Sequence, residues 1–452
     1  MPDTAVAGRP RIQRTLGALA LLTMGAPLTL ALMAGAMTSR LHVAPKRHHG
    51  KSAANRDRHT ILISGAKMTK ALVLARAFHA AGHRVLLCES ARYEINAHRF
   101  SHAVDSFHVL PDSGTPGYGP ALKRLIEREC VDIYLPVTSP AGSLHDAALV
   151  PELSQFCEVL HAGPDLVTLL DDKARFAETA RATGLRVPGT HRVTSADEAL
   201  AFDFTAYNRP FILKSIAYDP VGRLDLVRLP MDDRAAMESY VRALPISEDN
   251  PYVLQEFIEG TEFCTHGFFR NGELRVHCAC ESSAFQVNYE HRDIPEIREW
   301  VEAFGRATGL TGQASFDYIR AADDGEFYAI ECNPRTHSAI TLFGGDARLA
   351  EAYLGREEAA PIEPLPGARP TFWSAHELWR ILCAWPDLAA IRARLDVIAR
   401  GRDAVFDADD PLPFAALHHL HIPFLLIRSL AEGRQWHRID FNIGKLVQDG
   451  GD

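Results

Sequence analysis

From residue 58 onward, apolar and polar positions follow two different rhythms. His59 to Lys67 (HTILISGAK) is a continuous apolar run ending in a glycine turn, which predicts a buried strand. A helical pattern follows to Ala81, and a second strand is predicted from Arg84 to Cys88. The alternation continues through a helix at Tyr118 to Glu129 and a strand at Val131 to Pro136. Residues 58–165 are therefore expected to form an α/β domain with a doubly wound parallel sheet, and a ligand crevice is expected at Pro136 to Pro140, at a strand's carboxyl end. From Leu166 the pattern changes: Asp171 and Asp172 open a helix, Gly184 to Pro188 end it, and strand-like alternation dominates to Asn333. An α+β unit is expected over 166–355. Residues 356–370 read as a linker rich in Glu, Ala and Pro, and Ala375 to Arg402 as helix. Phe414 to Leu430 is apolar, with His418, His419 and His421 among it, and is expected to cap the core. Residues 356–452 thus make a linker and a C-terminal helical extension, and no internal repeat is present.

The first 57 residues differ from all of this. Leu16 to Met37 contains no charged residue and is long enough to cross a hydrocarbon layer, which needs about 20 apolar positions. Arg9, Arg11 and Arg14 precede it; Arg40, Lys46, Arg47, Lys51, Arg56 and Arg58 follow. The stronger basic flank places the main body in the cytoplasm, anchored at the inner face of the cytoplasmic membrane. A cleaved signal peptide is the rival reading, with Ala34-Gly35-Ala36 resembling a cleavage site. Gly17, Gly25, Pro27 and Gly35 weaken a spanning helix, which leaves an interfacial segment as a third reading.

The 452 residues are enough for two or three packed units, and hence for a water-excluding site between them. A net charge of -9 argues against general nucleic-acid binding, which needs a basic stripe, and turns attention to small molecules. The eight cysteines lie scattered, without the CxxC pairs of a zinc or redox site, and read as reduced packing thiols.

The chemistry concentrates in Gly312 to Arg335 (GQASFDYIRAADDGEFYAIECNPR), two alternating strands joined by a turn. A three-residue loop at Asp323 to Gly325 pairs Asp317 with Glu331, and alternation puts Asn333 on the same face. Two carboxylates and an amide oxygen on one face repel unless neutralised, and oxygen-only ligands suit Mg2+ that also holds phosphate oxygens. Lys214 sits in the apolar strand Pro210 to Ile216, where an unpaired ammonium is costly and an anionic phosphate resolves the cost. Lys173 lies at the helix start beside Asp171 and Asp172; alone it reads equally as a surface ion pair. Tyr252 to Glu262 is a strand, a bend and an acid, whose backbone at Glu256, Phe257 and Ile258 suits an adenine edge and whose Glu262 suits ribose hydroxyls. The turn after the first strand has only Gly65, not GxGxxG, so a nicotinamide dehydrogenase is disfavoured.

In this order, the elements over residues 59–355 resemble the ATP-grasp superfamily. That resemblance implies two α+β subdomains holding ATP behind a parallel-sheet domain. By motif it implies Lys173 and Lys214 as phosphate-binding lysines, Glu256, Phe257 and Ile258 as the adenine hinge, and Glu262 as the ribose acid. Asp317, Glu331 and Asn333 then match the Mg2+ (or Mn2+) ligands, and Arg335 the arginine holding the transferred phosphate. The lid loop, Tyr218 to Arg228, departs from the pattern with its single Gly222. Within the superfamily the chain is most similar to the ligases that make mycosporine-glycine from 4-deoxygadusol and glycine. That likeness runs through SGAKMTKAL (64–72), FHAAGHRV (78–85), LLDDK (169–173), ILKSI (212–216), EFCTH (262–266), SSAFQ (282–286), NPRTHSAI (333–340) and RIDFNIGKLV (438–447). It implies phosphorylation of the enol oxygen of 4-deoxygadusol and its joining to glycine through the amine. His266 and His337 are candidates for the base that frees that amine, since a neutral imidazole accepts a proton near neutral pH; each reads equally as a hydrogen-bonded structural histidine. The alternatives are another ATP-grasp carboxylate-amine ligase acting through an acyl phosphate, or a non-catalytic membrane-tethered nucleotide-binding module.

Overall fold

The computed structural model describes residues 11–42, 58–216, 225–282, 288–355 and 357–448. Most of the lid loop, most of the SSAFQ string, the basic linker and Arg9 lie outside the described residues. The first sheet is wholly parallel: β1 (Thr60–Ile63), β2 (Arg84–Ser90), β3 (Ser106–Leu110), β4 (Ile133–Leu135) and β5 (Glu158–Val159), in the order β3-β2-β1-β4-β5. The order reverses between β1 and β4, so the crevice of this sheet opens there. Gly65, just past β1, has φ +67°, and a Cβ built on it would stand 1.4 Å from Val137 O. The glycine thus serves backbone crossing at the crevice and not a dinucleotide turn.

The second sheet is antiparallel, β6 (Thr190–Val193), β7 (Phe211–Ser215) and β8 (Tyr252–Glu256), ordered β6-β8-β7. The third joins β9 (Gly260–Arg270), β10 (Glu273–Glu281), β12 (Gly312–Ala321) and β13 (Phe327–Asn333) in the order β10-β9-β12-β13. Its core face packs the helix Pro295–Thr308, whose Trp300 and Phe304 stack with centroids 5.2 Å apart and meet Phe316 and Phe176. A small sheet of β11 (Asn288–Tyr289), β14 (Thr371–Phe372) and β15 (Arg402–Asp403), and a hairpin of β16 (Arg438–Asp440) and β17 (Lys445–Val447), complete the fold.

The C-terminal region is not a separate appendage. One buried cluster unites Ile61, Leu72 and Phe78 of the parallel domain with Cys278 and Tyr353 of the second unit and Leu417, Trp436 and Phe441 of the tail. The expected helix from 375 to 402 is two helices, Ser374–Ala384 and Leu388–Arg400, parted at Pro386, whose missing amide cannot continue the ladder. The apolar stretch near 414–430 is helical and caps the core as expected, with Leu417, Ile422 and Leu426 fully buried. All cysteines are free, and Cys278 and Cys280 pack in the interior.

The N-terminal apolar segment forms two helices, Arg11–Met24 and Ala26–His42, and the window Ile12–Ala36 has the length and hydropathy of a membrane span. It lies along the body. Arg14 stacks over Trp436 and bonds His437 O, Thr15 Oγ1 accepts from Trp436 Nε1 at 3.1 Å, and Thr29 Oγ1 lies 2.9 Å from His419 Nε2. These contacts hold about 22 Å of helix against the protein at 1.5 Å per residue. Leu16, Leu21, Met24, Leu28 and Leu30 stay exposed on the outer side.

Candidate nucleotide and metal site

The site is built on the β12–β13 hairpin. Asp317 is the direct cross-strand partner of Glu331, and Ser315 that of Asn333. The predicted register is therefore present, but its origin differs. Near the turn the pairs are Arg320–Phe327, Ile319–Tyr328 and Tyr318–Ala329, and Gly325 donates its amide to Ala321 O with φ +75°. The loop thus has one residue more than Asp323 to Gly325, and a bulge at Ile330 shifts the register back before Glu331. Two offsets of one residue cancel at the site.

Asp317, Glu331 and Asn333 come together: Asn333 Nδ2 donates to Asp317 Oδ2 at 3.3 Å. Burial, then the Glu331 charge, pushes the Asp317 carboxyl well above the usual range. Burial acts the same way on Glu331, but Lys173 and Lys214 outweigh it and bring that carboxyl down to about 2. The two carboxyls therefore resist being ionised together, and a bound cation would relieve that conflict. Among the described residues, no three His, Cys, Asp or Glu side chains gather as a self-sufficient metal cage. Two carboxylates and one amide fit a hard divalent ion that completes its shell with phosphate oxygens and water.

The cations face this pair. Lys173, the first residue of the helix Lys173–Ala182, lies 3.5 Å from Glu331 Oε2, and its preceding Asp172 caps the helix by accepting from Ala174 and Arg175. Lys214, half-buried on β7, has its pKa lowered by burial and then raised in part by Glu331, with Glu262 and Asp317 also acting on it. Arg335 acts electrostatically on Asp171, Asp317 and Glu331. Among the described residues neither Lys214 Nζ nor the Arg335 guanidinium has an acceptor within bonding distance. Two cations with no bonded acceptor among the described residues, beside a carboxylate pair, are what a polyphosphate would complete. The Asn-Pro-Arg turn carrying Arg335 is pinned by Ser143 Oγ, which donates to Pro334 O at 2.7 Å. Gln313 Nε2 donates to Pro136 O at 3.2 Å and ties β12 to the crevice of the parallel sheet.

The hinge residues are placed at the end of β8. Glu256 N donates to Gly189 O, Glu256 Oε2 accepts from Gly189 N at 2.6 Å, and Phe257 N donates to Pro210 O. The Ile258 amide has no acceptor among the described residues, so of the three predicted residues it retains a donor for a base edge. Glu262 is exposed on β9, within electrostatic reach of Lys214.

His266 is fully buried; Nε2 lies 3.3 Å from Tyr353 OH and Nδ1 accepts from His337 N at 3.4 Å. Burial, then the neighbouring His337, takes its pKa well below the usual value. Both ring nitrogens are engaged, so it is a structural histidine and not a base. His337 caps the short helix Ser338–Phe343 through Nδ1 and meets the Tyr289 ring edge-on at 5.3 Å. Sequence reasoning gave no site role to Lys70, Asp171, Thr336 or Asn442. The lengths of the 64–72 and 438–447 strings, longer than a nucleotide site requires, were the available signal.

No family model matches the chain. Over 196 residues it is 25% identical to the carbamoyl phosphate synthase large chain of Gemmatimonas aurantiaca, a stretch that takes in 39% of this chain and 17% of that one. The chain thus spans about a sixth of the length of the curated relatives it matches. Among solved structures it is similar to N5-carboxyaminoimidazole synthetase from Staphylococcus aureus complexed with ADP, with TM-score 0.52 and 16% identity, covering 70% of this chain and 82% of that one. It is also similar to biotin carboxylase from Campylobacter jejuni in a nucleotide complex, with TM-score 0.54 and 16% identity, covering 67% and 72%. The chain has the ATP-grasp fold, with a parallel-sheet domain ahead of the antiparallel units.

Proposed function

We propose that this ATP-grasp chain is an ATP-dependent ligase that forms a C–N bond, and that its reaction joins 4-deoxygadusol to glycine to give mycosporine-glycine. The observation that carries the ligase reading is the pairing of Asp317 with Glu331 beside Lys173, Lys214 and Arg335. The finer substrate reading rests on the sequence strings that run from residue 64 to 447.

Asp317, Glu331 and Asn333 would hold Mg2+, which, when bound, screens the charge on the polyphosphate and polarises it. Lys173, Lys214 and Arg335 neutralise the charge spread over the transferring oxygens. 4-Deoxygadusol has no carboxyl group, but its enolised 1,3-dicarbonyl is a vinylogous acid. The enol oxygen attacks the γ-phosphorus, the bond from that phosphorus to the β–γ bridging oxygen breaks, and ADP leaves. The glycine amine then adds to the activated carbon; the C–O bond to phosphate breaks, inorganic phosphate leaves and the nitrogen gives up a proton. The protein's share is orientation and exclusion of water, which would otherwise hydrolyse the intermediate.

We place the body at the cytoplasmic face of a membrane. The helices over Ile12–Ala36 lie along it with Leu19 and Leu22 against the core and Leu16, Leu21, Leu28 and Leu30 outward, the arrangement of an interfacial anchor more than of a perpendicular span.

The test is incubation of the full chain in mild detergent with ATP, Mg2+, 4-deoxygadusol and glycine. ADP together with a new ultraviolet-absorbing product supports the reading. ADP release with a carboxylate acceptor but not with 4-deoxygadusol transfers the chain to the acyl-phosphate ligases.

A further inference from the structure

We infer that Lys70, Thr336 and Asn442 form the binding pocket for the phosphoryl-accepting substrate, a small molecule carrying one anionic oxygen and at least one hydroxyl. The inference rests on the ligase reading above and adds the place where the acceptor sits.

Lys70 is the second residue of the helix Thr69–Ala80, at the crevice where the parallel sheet reverses its order, and it is only 7% exposed. Its Nζ donates to Thr336 O at 2.6 Å. Among the described residues that is its one acceptor, although an ammonium carries three donors. Thr336 Oγ1 and Asn442 Oδ1 are buried and have no partner among the described residues. A buried polar group left unpaired is costly, so two of them near a buried ammonium with donors to spare call for a common partner.

Three distant parts of the chain are brought together to make this arrangement. The C-terminal hairpin loop carries Asn442, whose carbonyl accepts from Thr69 N at 2.9 Å and from Thr69 Oγ1 at 3.0 Å, next to Lys70. Its side-chain Nδ2 donates to Ser338 Oγ at 2.7 Å, two residues from Thr336. Trp373 Nε1 donates to Thr69 Oγ1 and closes the back of the crevice. The C-terminal 438–447 string, which no nucleotide site requires, thereby gains a purpose: it supplies one wall.

The three groups define the ligand chemically. Lys70 donates, Asn442 Oδ1 accepts, and the Thr336 hydroxyl does either, so the ligand must offer an acceptor oxygen to the lysine and a hydroxyl to the amide. Burial, then the Arg335 charge, lowers the Lys70 pKa to about 7 against the opposing pull of Asp440. An anionic oxygen in the pocket would reverse that and hold the lysine charged. An ionised enol and a carboxylate share this chemistry. Arg335 directly precedes Thr336, so an oxygen held by Lys70 lies next to the arginine assigned to the transferred phosphate.

The test uses Lys70→Gln and Thr336→Val in the full chain, with ADP release measured against acceptor and against ATP. 4-Deoxygadusol and a panel of small carboxylates serve as acceptors. Each variant should raise the acceptor KM by about tenfold or more while the ATP KM stays within about twofold. Thr336→Val removes only a hydroxyl that has no partner, so a merely structural role predicts unchanged or improved folding and no change in acceptor KM; it also keeps the test alive if Lys70→Gln fails to fold. A wild type active with a carboxylate but not with 4-deoxygadusol overturns the substrate reading and leaves the pocket to be judged with that carboxylate. Variants that retain the wild-type acceptor KM overturn the pocket, whichever acceptor works. A wild type inert to every acceptor overturns both.

Discussion

Asp317 and Glu331 face each other across one hairpin, both half-buried, with Lys173 3.5 Å from the second carboxylate. Like charges in direct cross-strand register destabilise a sheet unless something neutralises them. Asp317→Asn should therefore raise the melting temperature of the metal-free protein by about 1 °C, since about 1 kcal/mol is set against the unfolding entropy of a 452-residue chain. The same change should remove the further stabilisation that Mg2+ and ATP give the wild type. Scanning calorimetry with and without the nucleotide reads both effects, and a lower metal-free melting temperature would contradict the assignment.

The raised Asp317 pKa has a sign that can be checked. As pH falls, the folded, metal-free site takes up this proton before the unfolded carboxyl would, so this group favours folding at lower pH and loses that contribution as pH rises through its folded pKa. Metal binding needs the carboxylate, so Mg2+·ATP binding should release a proton and weaken as pH falls. Titration heats measured in two buffers of different ionisation enthalpy should differ accordingly. Equal heats would show that no proton leaves.

Lys214 Nζ and the Arg335 guanidinium have no directly bonded acceptor among the described residues, which makes their removal informative. Lys214→Met should weaken ATP binding by about tenfold or more, because a charge-assisted contact to phosphate is lost in a half-buried site. Arg335→Met should leave ATP binding within a few-fold and lower kcat by about a hundredfold or more, as expected of a group that acts on developing charge. Fold stability should hold in both, since no protein ion pair is broken. Loss of folding in either variant would mean that the side chain has a structural partner instead.

The helix contacts at Trp436 predict that the N-terminal segment is part of the body as well as its anchor. A chain lacking residues 1–42 should lose flotation with anionic phospholipid vesicles and also melt several degrees lower, because the Trp436 indole and its neighbours become exposed. Unchanged melting with lost flotation would reduce the segment to a simple tether.

Much of this was legible in the sequence because it is local. Period-two alternation placed Asp317, Glu331 and Asn333 on one face, and the glycine turn and β-α-β rhythm fixed the parallel domain. The hairpin shows the limit: its longer loop and the compensating bulge at Ile330 depend on which backbone pairings win, and side-chain pattern does not encode that. His266 looked like a possible base because its type suits one; only burial and two occupied ring nitrogens reveal its structural role. Lys70 and Asn442 were invisible for a different reason. Their partners lie 266 and 104 residues away, and no periodicity reports contacts of that range.

The central claim is that the β12–β13 hairpin holds a divalent ion together with a nucleotide. Isothermal titration of ATP into the full chain, with Mg2+ and again with EDTA, tests it most directly. If the hairpin holds the ion, binding is saturable and one-to-one with Mg2+ and is lost with EDTA and in Glu331→Ala, while Glu331→Ala stays folded. Metal-dependent binding that persists at wild-type strength in Glu331→Ala, or no binding by the wild type at all, would contradict it.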